Sequence, residues 1–330
     1  MMRKRMLKLF IFQIGVLLCF VLPAFTENQP AGKSKWDGLL MESVLKGDID
    51  KVKSYIAQGA EVNAVDSDGR TPLINAVEKG SIDIVNLLLA KNASISVRGK
   101  DGLSPLITAS QNGNSEILKL LLNKNINAID YLSGLSMAVK NGHRDVVDVF
   151  SEKLNIKRFD DMVCLAAKYG RNEVLSLLIE KGADVDDKCI DSEVDEKSNN
   201  ARAPLMFAAA YGHTETVKLL LAQKNIEINT YDRNYVDSLM LACEKGYQDI
   251  AALLIENKAD AERSDSKRWT SLMYAVKGGN AEIVKMLIDV LPKRRLDNKN
   301  NEKKTALDIS IEYKQTEIEK LLRAASSKKK

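Results

Sequence analysis

The sequence predicts an all-α repeat solenoid, and three observations carry that expectation. A short pattern returns at a fixed interval: Thr71-Pro72-Leu73 recurs as Ser104-Pro105-Leu106, 33 residues later. An alanine and a glycine travel with it, as Ala76/Gly80 and Ala109/Gly113, and so does a leucine triplet, Leu87-Leu88-Leu89 and then Leu120-Leu121-Leu122. The composition suits helices packed through Leu, Ile, Val and Ala, with 45% hydrophobic residues but only 5% aromatic. Such a fixed period is the signature of stacked supersecondary units, so a length of 330 residues need not mean several separate cores.

The chain opens on what reads as an export signal over residues 1–26. Arg3, Lys4, Arg5 and Lys8 form a basic start. Leu9 to Phe25 is apolar except for Gln13, Gly15 and Pro23, and at 17 residues it is short for a membrane span. Cleavage is expected before Phe25 or Glu27, where Leu22-Pro23-Ala24 and Ala24-Phe25-Thr26 approximate the small-residue rule. An uncleaved membrane anchor is the alternative. Leu18 before Cys19 argues against lipidation there. Residues 27–35 read as a linker. The expected location is therefore exported, either periplasmic or secreted.

The repeat array follows over residues 36–325. The Ala-x-x-x-Gly anchor appears again as Ala138/Gly142, Ala166/Gly170, Ala208/Gly212, Ala242/Gly246 and Ala275/Gly279, with weaker copies at Ser43/Gly47 and Ser310/Lys314. That makes nine units. Hydroxyls at Thr71, Ser104, Thr270 and Thr305 are placed to cap a first, short helix. Pro72, Pro105 and Pro204 sit where a missing N–H costs nothing. The alanine permits close approach and the glycine stops the helix. A second helix follows, with Ile82, Val85, Leu88 and Leu89 as its apolar face in the second unit. Gly59, Asn92, Asn125 and Gly182 are placed to end such helices, and Asp66-Ser67-Asp68-Gly69 is a turn to the next unit. Two alanine-to-alanine steps are short, 29 residues to Ala138 and 28 to Ala166, and the next is 42. Trimmed turns are expected in the short units and a long polar loop over 186–202. The array reads as one continuous solenoid, closed by a basic tail at 326–330.

This grammar resembles the ankyrin repeat. The resemblance implies helix–turn–helix pairs joined by short projecting β-hairpins, and binding through hairpin tips and the exposed, concave side of the first helices. The histidine usual after T-P-L is missing throughout. Ile74, Ile107, Ser136, Cys164, Met206, Met240 and Met273 take its place, and Asp308 does so in the last unit. Where the substitute is apolar, packing must replace a Thr–His hydrogen bond.

Charge and reactive residues narrow the function. The chain has 49 basic and 45 acidic residues, but four basic and no acidic residues lie in 1–26, so the remainder carries 45 of each. That balance does not suggest nucleic acid. His143 and His213 each follow an anchor glycine, which is a structural place. Cys164 and Cys243 fall at first-helix positions and read as core thiols, although Cys164 and Cys189 could also form a disulfide in an oxidising compartment. Asp184, Asp186 and Asp187 read as a solvated turn. Nucleophile motifs, phosphate loops and zinc spacings are missing, so no cofactor, no metal and no enzymatic activity are expected. Lys328-Lys329-Lys330 reads as a solvated tail.

Placed in register, the residues before each anchor glycine and at each hairpin form the candidate binding surface. It contains Arg70, Lys79, Lys140, Lys168, Tyr169, Arg202, Tyr211, Lys245, Trp269 and Lys277, with Leu103, Val236 and Lys304 also at hairpin positions. Tyr, Trp and Arg are the types that anchor interfaces. The expected function is a monomeric protein-binding scaffold acting after export, with membrane contact only through an uncleaved signal. A secreted effector or toxin-associated factor acting on host proteins is the runner-up.

Overall fold

The computed structural model describes residues 34–124, 126–154, 160–190 and 201–327. The expected signal at 1–26, the expected linker up to residue 33, Asn125, residues 155–159, residues 191–200 of the polar stretch and Lys328–Lys330 lie outside them. The described residues form an array of helix pairs with one two-stranded sheet, an all-α repeat solenoid. It divides into two compact units, Met1–Ile156 and Lys157–Lys330.

The described part of the first unit holds four pairs: α1 (Lys35–Lys46) with α2 (Ile49–Ala57), α3 (Pro72–Glu78) with α4 (Ile82–Ala90), α5 (Pro105–Gln111) with α6 (Ser115–Leu122), and α7 (Ala128–Asn141) with α8 (Arg144–Leu154). The described part of the second holds five. These are α9 (Asp160–Lys168) with α10 (Asn172–Glu180), α11 (Pro204–Tyr211) with α12 (Thr214–Leu221), α13 (Ser238–Lys245) with α14 (Gln248–Glu256), α15 (Ser271–Gly278) with α16 (Ala281–Val290), and α18 (Ala306–Glu312) with α19 (Thr316–Ser327). The short α17 (Lys293–Leu296) precedes the last pair, and strands β1 (Cys189–Ile190) and β2 (Ala201–Arg202) lie between α10 and α11.

The caps are where the sequence puts them. Thr71, Ser104 and Thr270 accept from the backbone N–H three residues on, and Pro72, Pro105 and Pro204 begin their helices. Asp237 caps α13 in the threonine's place. In the last pair Thr305 and Asp308 form a reciprocal box. The Thr305 hydroxyl donates to the Asp308 carboxylate at 2.8 Å, so the acid in the missing histidine's position restores a hydrogen bond there. Elsewhere Ile74, Ile107, Cys164, Met206, Met240 and Met273 are buried, and packing fills that role.

The anchor alanines are fully buried, which lets neighbouring first helices approach closely. On α4 the buried face is Ile84, Val85, Leu88 and Leu89. Ile82, expected in it, is half-buried, because the i, i+1, i+4, i+5 stripe that reaches the core starts two residues later.

Projecting hairpins precede α3, α5, α13, α15 and α18. Each closes with a backbone bond across the tip, such as Asp66 N–H to the Arg70 carbonyl and Asp265 N–H to the Trp269 carbonyl. Neighbouring tips are laced together: Lys100 N–H donates to Asp68, Ser266 to Asn234 and Asn301 to Lys267. Among the described residues no hairpin precedes α7. Asn127 caps it directly, and it runs 14 residues where other first helices run seven to nine, apart from the 12-residue α1, so the missing turn is wound into helix. The polar stretch lies inside the second unit. Cys189 pairs with Arg202 and Ile190 with Ala201, and a disulfide ties Cys189 to Cys164 on α9. The insertion is thereby stitched to its own repeat.

Candidate functional site

One device recurs at the end of nearly every first helix. The glycine that stops the helix has a left-handed backbone, and the polar residue after the next repeat's glycine lies against it. His143 covers Gly113, His213 covers Gly170 and Tyr247 covers Gly212. His143 Nε2 donates to the Gln111 carbonyl at 2.8 Å, and His213 Nε2 donates to the Lys168 carbonyl at 2.7 Å. Asn280 and Gln315 reach the Gly246 and Val276 carbonyls in the same way. The two histidines thus knit successive repeats. Among the described residues, no group of three or more His, Cys, Asp or Glu could hold a metal ion.

Several residues of the candidate surface are also ties. Arg70 bridges Glu78 and, at 2.6 Å, Asp101 of the next hairpin. Arg202 on β2 reaches Asp232, whose side chain is fully buried, at 3.4 Å. Lys277 pairs with Glu244 of the preceding repeat at 2.6 Å. Arg98, not a candidate, pairs with the buried Asp130 on α7. Apart from Glu78, which lies in the same repeat as Arg70, each partner lies roughly one repeat away in sequence. Lys79 and Lys245 are exposed, and Lys140 is half-buried.

The aromatic candidates form two groups in the second unit. Lys168 is only 8% exposed, yet its ammonium lies 5.7 Å from the Tyr169 ring and 5.3 Å from the Tyr211 ring, and Tyr211 remains 38% exposed. An ammonium over an aromatic face fixes the ring's position. Trp269 packs on Tyr274 with ring centroids 5.6 Å apart, and Lys277 lies 6.0 Å from its ring. The Tyr274 hydroxyl donates to Asp265 at 2.9 Å. Burial raises the Tyr274 phenol, and the Asp265 bond raises it further.

A third aromatic group was missed from sequence. Tyr231 and Tyr235 stack with centroids 5.0 Å apart, and both are exposed. Lys188, whose ammonium also donates to the Tyr231 carbonyl, and Arg263 flank the Tyr231 ring. The sequence register sampled Val236, one residue too late; the tip itself is at Arg233 to Tyr235.

Two titrating groups are perturbed at α13, one in its N-terminal cap and one within it. Burial pushes the Asp237 carboxyl up to about 6, against the Met240 N–H it accepts from and the Arg263 charge. Burial likewise raises the Cys243 thiol. Asp186, from the acidic turn, is also raised by burial, and it accepts from the Glu227 N–H of the next repeat.

Comparison with known proteins places the chain among repeat proteins. It matches the family described as "Ankyrin repeats (3 copies)" over residues 40–131, 163–265 and 239–330. It is 31% identical over 122 residues to the mouse "Ankyrin repeat and SAM domain-containing protein 6", covering 37% of this chain and 14% of that protein. It is 30% identical over 125 residues to the human "Ankyrin repeat domain-containing protein 63", covering 36% and 33%. It is 32% identical over 98 residues to the human "Transient receptor potential cation channel subfamily A member 1", covering 29% and 9%. The match spans no more than about a third of the length of any of these relatives.

Proposed function

This chain belongs to the ankyrin-repeat family, and on that premise we propose that it is a non-enzymatic scaffold that binds a protein after export, using the exposed ends of the first helices in its second unit. The observation that carries the reading is the arrangement of Lys168 between Tyr169 and Tyr211. Rings already held by a cation lose little freedom on binding, and tyrosine is an enriched hot-spot type. Trp269, held by Tyr274 and Lys277, extends the same surface. Export rests on the basic and apolar pattern of residues 1–26.

A crosslinking pull-down from the native cell envelope tests the binding. Wild type should capture a discrete protein partner. Tyr211→Ala and Trp269→Ala should lose it by roughly tenfold or more, while Lys218→Glu on α12 should not. Loss in the Lys218 variant alone would move the site to the second helices. Intact mass and thiol count test export. A chain starting near Phe25 or Glu27 has one free thiol in denaturant, Cys243, whereas a chain keeping Cys19 has two. Recovery from culture medium rather than the envelope would favour the secreted-effector reading.

A further inference from the structure

The hairpins before α13, α15 and α18 share one turn. In each, Asp232, Asp265 or Asn300 accepts from two backbone N–H groups of its own hairpin. The fourth position of each turn is left-handed: Tyr235 at φ 61°, Arg268 at φ 62° and Lys303 at φ 62°. The hairpins before α3 and α5 fill that position with Gly69 and Gly102. A left-handed backbone is disfavoured for side chains with a Cβ, so the second unit carries three large side chains where glycine would fit without strain. All three are exposed.

The charge at these tips is one-sided. Lys267, Arg268 and Lys303 are exposed and make no ion pair among the described residues, and Arg233 is exposed beside them. The acids Asp232 and Asp265 are buried and committed to the turns. Glu302 is already paired with Lys304. The Tyr231–Tyr235 stack stands at one end of the row. The backbone bonds from Ser266 to Asn234 and from Asn301 to Lys267 hold the three tips in sequence.

We propose that the tips at Tyr235, Lys267-Arg268 and Lys303 form a strip that binds an extended acidic polypeptide segment, with an apolar side chain on Tyr235. The proposal rests on the scaffold reading above and names the chemistry of the partner. Helix layers pack about 10 Å apart, and a chain extended as polyproline II advances about 3.1 Å per residue with three residues per turn. Acidic side chains at every third residue then share one face, about 9 Å apart, and meet successive tips. A nucleic acid fits less well. Duplex DNA carries a charge every ~1.7 Å of its axis, far denser than one or two cations per repeat, and the chain beyond residue 26 has equal numbers of acids and bases.

The test is fluorescence polarisation on the full chain with a labelled decapeptide. It has leucine at one end and glutamate at every third position in a serine background. Saturable binding is expected, weakening with added salt. The double variant Arg268→Gly/Lys303→Gly should bind at least tenfold more weakly, while its melting temperature stays equal or rises, because glycine accepts the left-handed backbone. Unchanged binding in that variant would overturn the proposal. So would a fall in melting temperature, which would make these side chains structural. An oligothymidylate of equal charge that binds as tightly, and is lost in the same variant, would make the strip a phosphate reader and also overturn it. A captured partner that survives the glycine variant but not Tyr211→Ala would sink the strip and leave the scaffold reading standing.

Discussion

The imidazole of His213 occupies the space that a side chain on Gly170 would need. A Cβ at Gly170 would stand 2.6 Å from His213 Nδ1, while Nε2 of the same ring donates to the Lys168 carbonyl at 2.7 Å. Gly170 also has φ +65°. Gly170→Ala should therefore destabilise the chain by about 1 kcal/mol from the backbone alone, and by more once the ring is displaced. His213→Ala removes a donor from the Lys168 carbonyl and should cost about 1 kcal/mol. His213→Gln should recover part of it, since Gln315 makes the equivalent bond in the last pair. Urea melts of the three variants check this, and a His213→Ala protein as stable as wild type would refute it.

Arg202, a candidate binding residue, also makes a structural tie. Its guanidinium reaches the fully buried Asp232 side chain. Arg202→Ala removes a charge partner from that carboxylate, which keeps the Asn234 and Val236 N–H bonds, and should cost about 1–2 kcal/mol. A purely surface arginine would cost under about 0.5 kcal/mol. Thermal melts decide whether the tie carries stability: an unchanged melting temperature with lost partner binding would leave Arg202 an interface residue only.

Asp237 makes stability depend on pH in an unusual direction for an acid. Its folded value of about 6 lies above the ordinary 3.8, so the folded chain holds the proton more tightly than the unfolded one. This group's contribution is fully present below about pH 4, is lost as pH rises to 6, and stays lost above it. Asp237→Asn keeps a capping oxygen without the charge. It should raise stability at pH 7.5 by about 1–2 kcal/mol and remove the fall between pH 4 and 6. Parallel melts of both proteins across that range test it, and identical pH profiles would rule it out.

Ser271 stands where Pro72, Pro105 and Pro204 begin their helices, and its buried hydroxyl has no hydrogen-bond partner. The preceding Thr270 is already extended, at φ −94° and ψ 162°, as proline requires of its neighbour. Ser271→Pro should stabilise by about 0.5–1 kcal/mol through a stiffer unfolded chain, with a further gain from removing the orphaned hydroxyl. Chemical denaturation should show a higher midpoint at an unchanged slope; a lower midpoint would mean the ring does not fit.

The helix pairs were readable because each carries its own stop, cap and core signals within a dozen residues. Thr71, Pro72, Ala76 and Gly80 say the same thing at four positions. Ile82 misled because two isoleucines flank Asp83, and spacing alone does not choose between neighbouring stripes. The site was less legible. Arg70, Arg202 and Lys277 look free in sequence because their acidic partners lie about one repeat away, and only stacked registers bring them together. Lys168 was expected on the exposed side of its helix, and its burial between two tyrosines depends on the next repeat. The Tyr235, Arg268 and Lys303 tips could have been found by aligning turns: Asp66-x-x-Gly69 stands over Asp232-x-x-Tyr235, Asp265-x-x-Arg268 and Asn300-x-x-Lys303.

The ties between repeats share a reach. Arg70 to Asp101, His143 to Gln111, Arg202 to Asp232, Gln315 to Val276 and His213 to Lys168 span between 30 and 45 residues. None of them waits for a distant part of the chain. A polypeptide emerging from a narrow exit can therefore settle each pair as soon as the next one appears, and contacts this local favour fast folding. The same reach bears on ancestry. A duplicated repeat arrives with its own glycine, its own donor to the neighbour before it and its own acid for the arginine behind it. An array built this way can lengthen or shorten by whole repeats without any other residue having to change.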